Sequence, residues 1–317
     1  MIFQEIFYNN FELIIPEFFL TTILLILLLF GVFYKKNQNI QKILIFKNVT
    51  TIIIYLLLIL LILTLNISNV SNNLLNGVLI INNFTQFIKS ILILTTIICF
   101  LIQNKYLIQQ KINSYEIHIL MLIALLGLML LISSNNFIIL YLAIELQSLS
   151  FYILTSTQKK SILSIEAGLK YFILGSIASG FILYGSSILY AITGSLNFNH
   201  IFLILSNINF GDNLNILVSL SYAFIFILIG LVFKLGAAPF HFWLPDVYEG
   251  APNNISSFFA IVPKIAFIGI LIRLFFDIFL NITYFFELFF YIISFFSMLI
   301  GALSALQQKK NKKIISL

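Results

Sequence analysis

Residues 216–242 read ILVSLSYAFIFILIGLVFKLGAAPFHF. The run is apolar and long enough to cross a bilayer as a helix, which takes about 17–25 residues. It nevertheless carries Lys234 a few residues past its centre, and Gly236 and Pro239 follow at once. A proline has no backbone donor, so Pro239 leaves the carbonyl of Leu235 without its helical partner, and Gly236 loosens the same turn. Irregular backbone at membrane depth is tolerated only where protein or a wet cavity satisfies the freed groups. The stretch therefore predicts a discontinuous membrane helix, broken near 234–240, beside a buried cation.

Runs of similar length recur on both sides, near 14–34, 49–65, 84–102, 116–133, 137–154, 166–193, 255–276 and 283–306. Composition agrees. Of 317 residues, 61% are hydrophobic and 9% charged, against roughly 25% charged in a soluble domain; mean hydropathy is +1.09. The expected fold is an all-α integral membrane protein of about nine transmembrane helices. Twelve of the 17 basic residues fall after odd-numbered spans: Lys35, Lys36, Lys42 and Lys47, then Lys105 and Lys111, Lys159 and Lys160, and finally Lys309, Lys310, Lys312 and Lys313. The connections after the second, fourth and sixth spans hold no Lys or Arg, which places the N-terminus outside by the positive-inside rule. Glu5, Glu12 and Glu17 near the start do not fit a cleaved signal or transit peptide.

Charges inside the spans are the next signal. Each costs roughly 2.5–3.5 kcal/mol at a helix centre on insertion scales. Glu145 is at the midpoint of 137–154 and Lys264 near the midpoint of 255–276. Lys170 is about one turn into its run, within snorkelling reach of the interface. Lys89 and Arg273 read as helix-end residues facing the non-basic side. One carboxylate cannot neutralise both Lys234 and Lys264, so one lysine is expected to be neutral part of the time, and such a lysine can carry a proton. Pro263 directly precedes Lys264 and frees the carbonyl of Phe259, a second expected break. His241, seven residues beyond Lys234, is a candidate proton relay, or else a hydrogen-bonded helix-end histidine beside Trp243. Tyr141 and Ser148 share a helix face with Glu145, either as water-binding positions or as packing.

Other chemistries are not supported. Cys99 is the single cysteine and His118, His200 and His241 are far apart, so neither a disulfide framework nor a paired metal or haem motif is present. There is no Gly-rich phosphate loop and no dinucleotide fingerprint. Nucleotide, flavin and redox-metal cofactors are not expected on this chain, nor is a nucleic-acid partner.

The segment 234–266, KLGAAPFHFWLPDVYEGAPNNISSFFAIVPKIA, resembles the antiporter-like proton-pumping subunits of respiratory complex I, and among them the subunit 2 group with its bacterial subunit N counterparts. LYLAIELQSLSFYIL (140–154), EAGLKYFILGSIASG (166–180) and GALSALQQKKNKK (301–313) carry the same resemblance, which covers 125 to the C-terminus well and the first three helices loosely. It implies a Glu145–Lys234 pair that modulates proton affinity, a central Lys264 that passes protons along a hydrated axis, and Lys170 as the sixth-helix lysine. It also implies an N-terminal three-helix segment (1–115), a first five-helix repeat (116–280) and the start of an incomplete second repeat (281–317). Asn82 and Asn83 stand where relatives often have an aspartate.

The expected role is a membrane-arm subunit of NADH:ubiquinone oxidoreductase. NAD, FMN, iron–sulfur clusters and ubiquinone are then expected on other subunits. The expected partners are other membrane-arm subunits, membrane lipids and a separate polypeptide supplying further C-terminal helices. The abundance of Phe, Ile, Leu and Asn fits an AT-rich organellar gene and a mitochondrial inner membrane, with a bacterial plasma membrane as the alternative. Two rival readings are a subunit of a multi-chain sodium/proton antiporter and a structural assembly subunit with a degenerate channel.

Overall fold

The structure is a computed structural model and describes residues 2–33, 39–67, 72–74, 77–109, 115–158, 161–207, 214–279 and 283–307. Its helices are α1 (Ile2–Phe33), α2 (Asn39–Leu65), α3 (Asn83–Gln109), α4 (Glu116–Ser133), α5 (Phe137–Thr155), α6 (Ile162–Thr193), α7 (Phe198–Asn207), α8 (Leu214–Leu235), α9 (Trp243–Gly250), α10 (Asn253–Arg273) and α11 (Thr283–Gln307). Among the described residues nine helices are long and apolar enough to cross a membrane, and they coincide with the nine runs read from sequence. A helix satisfies its own backbone where water is absent, so apolar runs of this length have one solution. Lys35, Lys36, Lys111, Lys159, Lys160 and the lysines of 309–313, on which the orientation was read, lie outside the described residues.

α4 is the central element. Its span is 78% buried, against 11% for the span of α11 at the periphery. α6 and α8 pack closely through small residues: a Cβ at Gly185 would stand 2.6 Å from the carbonyl oxygen of Ala223, and one at Gly230 2.7 Å from that of Ala178. Such contacts let membrane helices approach backbone to backbone.

The fold departs from pure helix at one end. β1 (Asn72–Leu74) and β2 (Leu79–Ile81) form an antiparallel hairpin in which Leu74 faces Leu79. Gly77, at φ +81°, makes its turn, a conformation glycine adopts without a Cβ clash. The hairpin joins the connections after α4 and α6. Asn135 N donates to Val78 O at 2.9 Å, Phe198 N to Asn135 O at 2.9 Å, and the Asn135 and Asn197 amides both reach Gly77 O, at 2.7 and 2.9 Å. Arg273, at the end of α10, donates through Nη1 to the carbonyls of Ile132 and Ser134, the latter at 2.7 Å. Side-chain amides and an arginine thus absorb the backbone groups that helix ends leave open.

Arg273 is a helix-end residue, as the sequence reading has it, and it is buried there, with Nε on Asp277 at 3.1 Å. A stretch of π-helix, Leu274–Ile278, follows it.

Candidate functional site

α8 ends at Leu235, and the helix break expected near 234–240 is present. Gly236 takes φ +77°, Ala237 N donates to Val232 O at 3.2 Å and Gly236 N to Phe233 O at 3.0 Å. This is the Schellman closure of a helix C-terminus, which retires carbonyls that would otherwise be bare. Trp243 Nε1 adds a bond to Phe233 O at 3.0 Å. Pro239 lies in the turn between α8 and α9, after a cis peptide bond from Ala238.

Pro263 behaves differently. α10 runs through it without interruption from Asn253 to Arg273, so the second expected break does not occur. Val262, Pro263 and Ala266 are buried against neighbouring helices, and that packing holds a helix across one missing hydrogen bond.

The break leaves Lys234 in the last turn of α8, buried, with Nζ donating to the Tyr152 hydroxyl at 3.3 Å and 5.7 Å above the Tyr152 ring. Both contacts suit an ammonium taken out of water. Tyr152 packs edge-on against Tyr171, and Tyr171 stacks on Trp243 with centroids 4.5 Å apart. Lys234 is therefore walled by aromatics from α5, α6 and α9. Gly175 of α6 makes room, since a Cβ there would collide with the Tyr152 hydroxyl.

Glu145, Ser148 and Tyr152 are one and two turns apart on α5 and share a face. Ser148 Oγ bonds the Glu145 carbonyl at 3.2 Å and touches Oε2 at 3.5 Å, one turn before Tyr152 on the same face. Glu145 Oε1 is buried without a partner. No ion pair joins Glu145 to Lys234; the tyrosine takes the lysine's hydrogen bond instead. Glu145, Ser148 and Tyr152 thus form a polar row along α5 that ends on Lys234.

The other residues read from sequence are spread out. Lys264 is half-buried on the flank of α10 between Ile261 and Ile268, which are 46% and 51% exposed. Lys170 is exposed and bonds Glu166 and Asp246, each at 2.8 Å, tying α6 to α9. His241 stacks on Phe242, and its Nδ1 is buried without a partner. Tyr141 lies partly buried one turn before Glu145. Among the described residues no group of three His, Cys, Asp or Glu is placed to hold a metal ion.

Sequence reasoning missed a second buried charge pair. Lys89 of α3 donates to Glu17 of α1, with the two side chains only 4% and 8% exposed. From sequence alone Lys89 reads as a helix-end residue. It is six residues into its span and turned inward, as Glu17 is in the first span. A signal existed, an acid and a base each inside an apolar run.

A transmembrane family described as NADH:quinone oxidoreductase/Mrp antiporter matches residues 134–317, which include α5, α8 and α10. NADH-quinone oxidoreductase subunit N of Pelagibacter ubique is 37% identical over 308 residues, covering 97% of this chain and 62% of its own. NADH-ubiquinone oxidoreductase chain 2 of Marchantia polymorpha is 35% identical over 98% of this chain and 63% of its own. A chain of respiratory complex I from Thermus thermophilus, solved with bound aureothin, superposes with a TM-score of 0.72 and 26% identity over 95% of this chain and 60% of that one. The chain thus spans about three fifths of the length of the relatives it matches. It is a multi-pass membrane protein, and over more than half its length it belongs to the NADH:quinone oxidoreductase/Mrp antiporter transmembrane family.

Proposed function

We propose that this chain is a membrane-arm subunit of NADH:ubiquinone oxidoreductase that takes part in proton translocation. The observation that carries the reading is the polar row of Glu145, Ser148 and Tyr152 on one face of α5, ending on Lys234 beside a broken helix. It sets a carboxylate with a bare oxygen and a buried lysine on two hydroxyls that can accept and donate. Protons move along such rows by short transfers between groups held in place. The relatives named as complex I subunits support this enzyme over a separate antiporter.

Lys264, on a flank that this chain leaves open, is the outlet in this reading. A cation at mid-membrane beside exposed isoleucines calls for a polar group or water from beyond the chain. Further helices, from the same or another polypeptide, supply that cover along α10 and α11. NAD, FMN, iron–sulfur clusters and ubiquinone belong to other subunits, and the membrane is the mitochondrial inner membrane. His241 and Lys170 serve at the ends of the path, where His241 keeps a free ring nitrogen and Lys170 is within reach of solvent.

The test is proton pumping by the assembled complex carrying Lys234→Met or Lys264→Met. Each variant is expected to stay in the complex and to lower the number of protons moved per electron. An unchanged ratio in both would sink the proposal.

A further inference from the structure

The Glu17–Lys89 pair is remote from the Glu145–Tyr152–Lys234 chain, with α10 packed on both α3 and α8. Its hydrogen bonding is incomplete. Glu17 Oε1 accepts from Lys89, but Oε2 is buried and has no partner. One and two turns back along α3, Gln86 Nε2 and Asn82 Oδ1 are also buried without partners, as is Arg273 Nη2. Asn82, Thr85, Gln86 and Lys89 fall on one face of α3 by helical spacing, so the bare groups form a polar stripe. It leads from the end of the helix to an ion pair about 9 Å deep.

A purely structural pair would be closed by hydrogen bonds on all sides, because an unpaired polar atom costs several kcal/mol in hydrocarbon. This one keeps a buried carboxylate oxygen without a partner, on the helix pair that carries the stripe. At the outer end of the stripe Asn82, Thr85, Arg273 and Asp277 line an open cleft of about 270 Å³ whose remaining walls are Phe84, Ile272 and Phe276. That volume holds several waters, at about 30 Å³ each. The orphaned amides supply the further polar contacts that a buried water needs. Arg273 and Asp277 are the ionisable groups facing the cavity from the end of α10, and His118 of α4 faces α3 farther along, stacked on Phe100.

We propose that Glu17 and Lys89 form a second proton-binding site, reached by water from the Asn82–Arg273 cavity along α3. The occupant is water and its proton. On uptake, a proton from water bonds to Glu17, the Lys89 contact loosens and hydroxide leaves by the same path; release reverses these steps.

Two measurements test this in the assembled complex, in membranes, with Cys99 replaced by serine. A membrane-impermeant cationic thiosulfonate is expected to modify Gln86→Cys from the Asn82 side, and not Ile93→Cys, one turn beyond Lys89 on the same face. Infrared titration is expected to show a carboxyl band on acidification that shifts down in D2O and is lost in Glu17→Gln/Lys89→Met. The double variant removes both charges, so no lone ion destabilises the fold, and the cysteine measurement leaves the pair intact. Equal silence of Gln86→Cys and Ile93→Cys, or a spectrum that is the same in the double variant, overturns the proposal. A proton-pumping defect in Lys234→Met bears on the other site alone, so the two ideas fail separately.

Discussion

Tyr152 decides how the lysine beside the helix break is held. Its hydroxyl receives Lys234, its ring stands beneath the ammonium, and Ser148, one turn back on the same face, bonds Glu145. Tyr152→Phe keeps the ring and removes the acceptor, leaving a buried donor short of one partner at a cost of about 1–3 kcal/mol. The expected outcome is a chain that still enters the membrane, by immunoblot, with fewer protons moved per electron in sealed vesicles; a full ratio would assign Tyr152 to packing. Glu145 and Lys234 were legible in the sequence because each lies too deep in its apolar run to snorkel. Tyr152 was not, since an aromatic among so many (35 Phe and 14 Tyr) is indistinguishable from core. Glu17 and Lys89 were hidden for another reason. Each is close enough to a helix end to snorkel, and only the fold reveals that both turn inward.

At the scale of elements, the two prolines divide what sequence can foresee. Pro239 and Pro263 each follow or precede a lysine in an apolar run, yet one stands in a full break and the other in an unbroken helix. Gly236 made the difference, with its left-handed φ and its close approach to Leu244. Gly236→Ala should lose roughly 1–2 kcal/mol from the backbone alone and more from the clash with Leu244. Thermal unfolding in detergent is expected to come earlier in Gly236→Ala. Adding Leu244→Ala should recover the steric part but not the backbone part, and complete recovery would mean that φ is irrelevant there. The nine helices were readable as periods of bilayer length. The β-hairpin and the buried Arg273 were not, because both satisfy backbone groups of segments distant in sequence.

At the scale of the molecule, α11 stands apart. Leu288, Phe295 and Met298 are 69%, 57% and 69% exposed on it. A carbene reagent dissolved in the lipid should label α11 heavily in the isolated chain and weakly in the assembled complex; equal labelling would mean that no protein covers it. The joined end, where Gly77, Asn135, Asn197 and Arg273 knit four connections together, has a mechanical counterpart at the opposite end. There α6 and α9 are held by Lys170 through exposed ion pairs that solvent weakens. One rim is joined through buried backbone groups, while the other adds a solvent-exposed ion pair to the packing of Gly250 on Leu163 and Ala167. Amide hydrogen exchange should therefore be slowest at residues 77–82 and 134–136 and faster at 243–250. Any widening that lets water toward Lys234 would open from the Lys170 rim, while the Asn135 rim holds the helices in register.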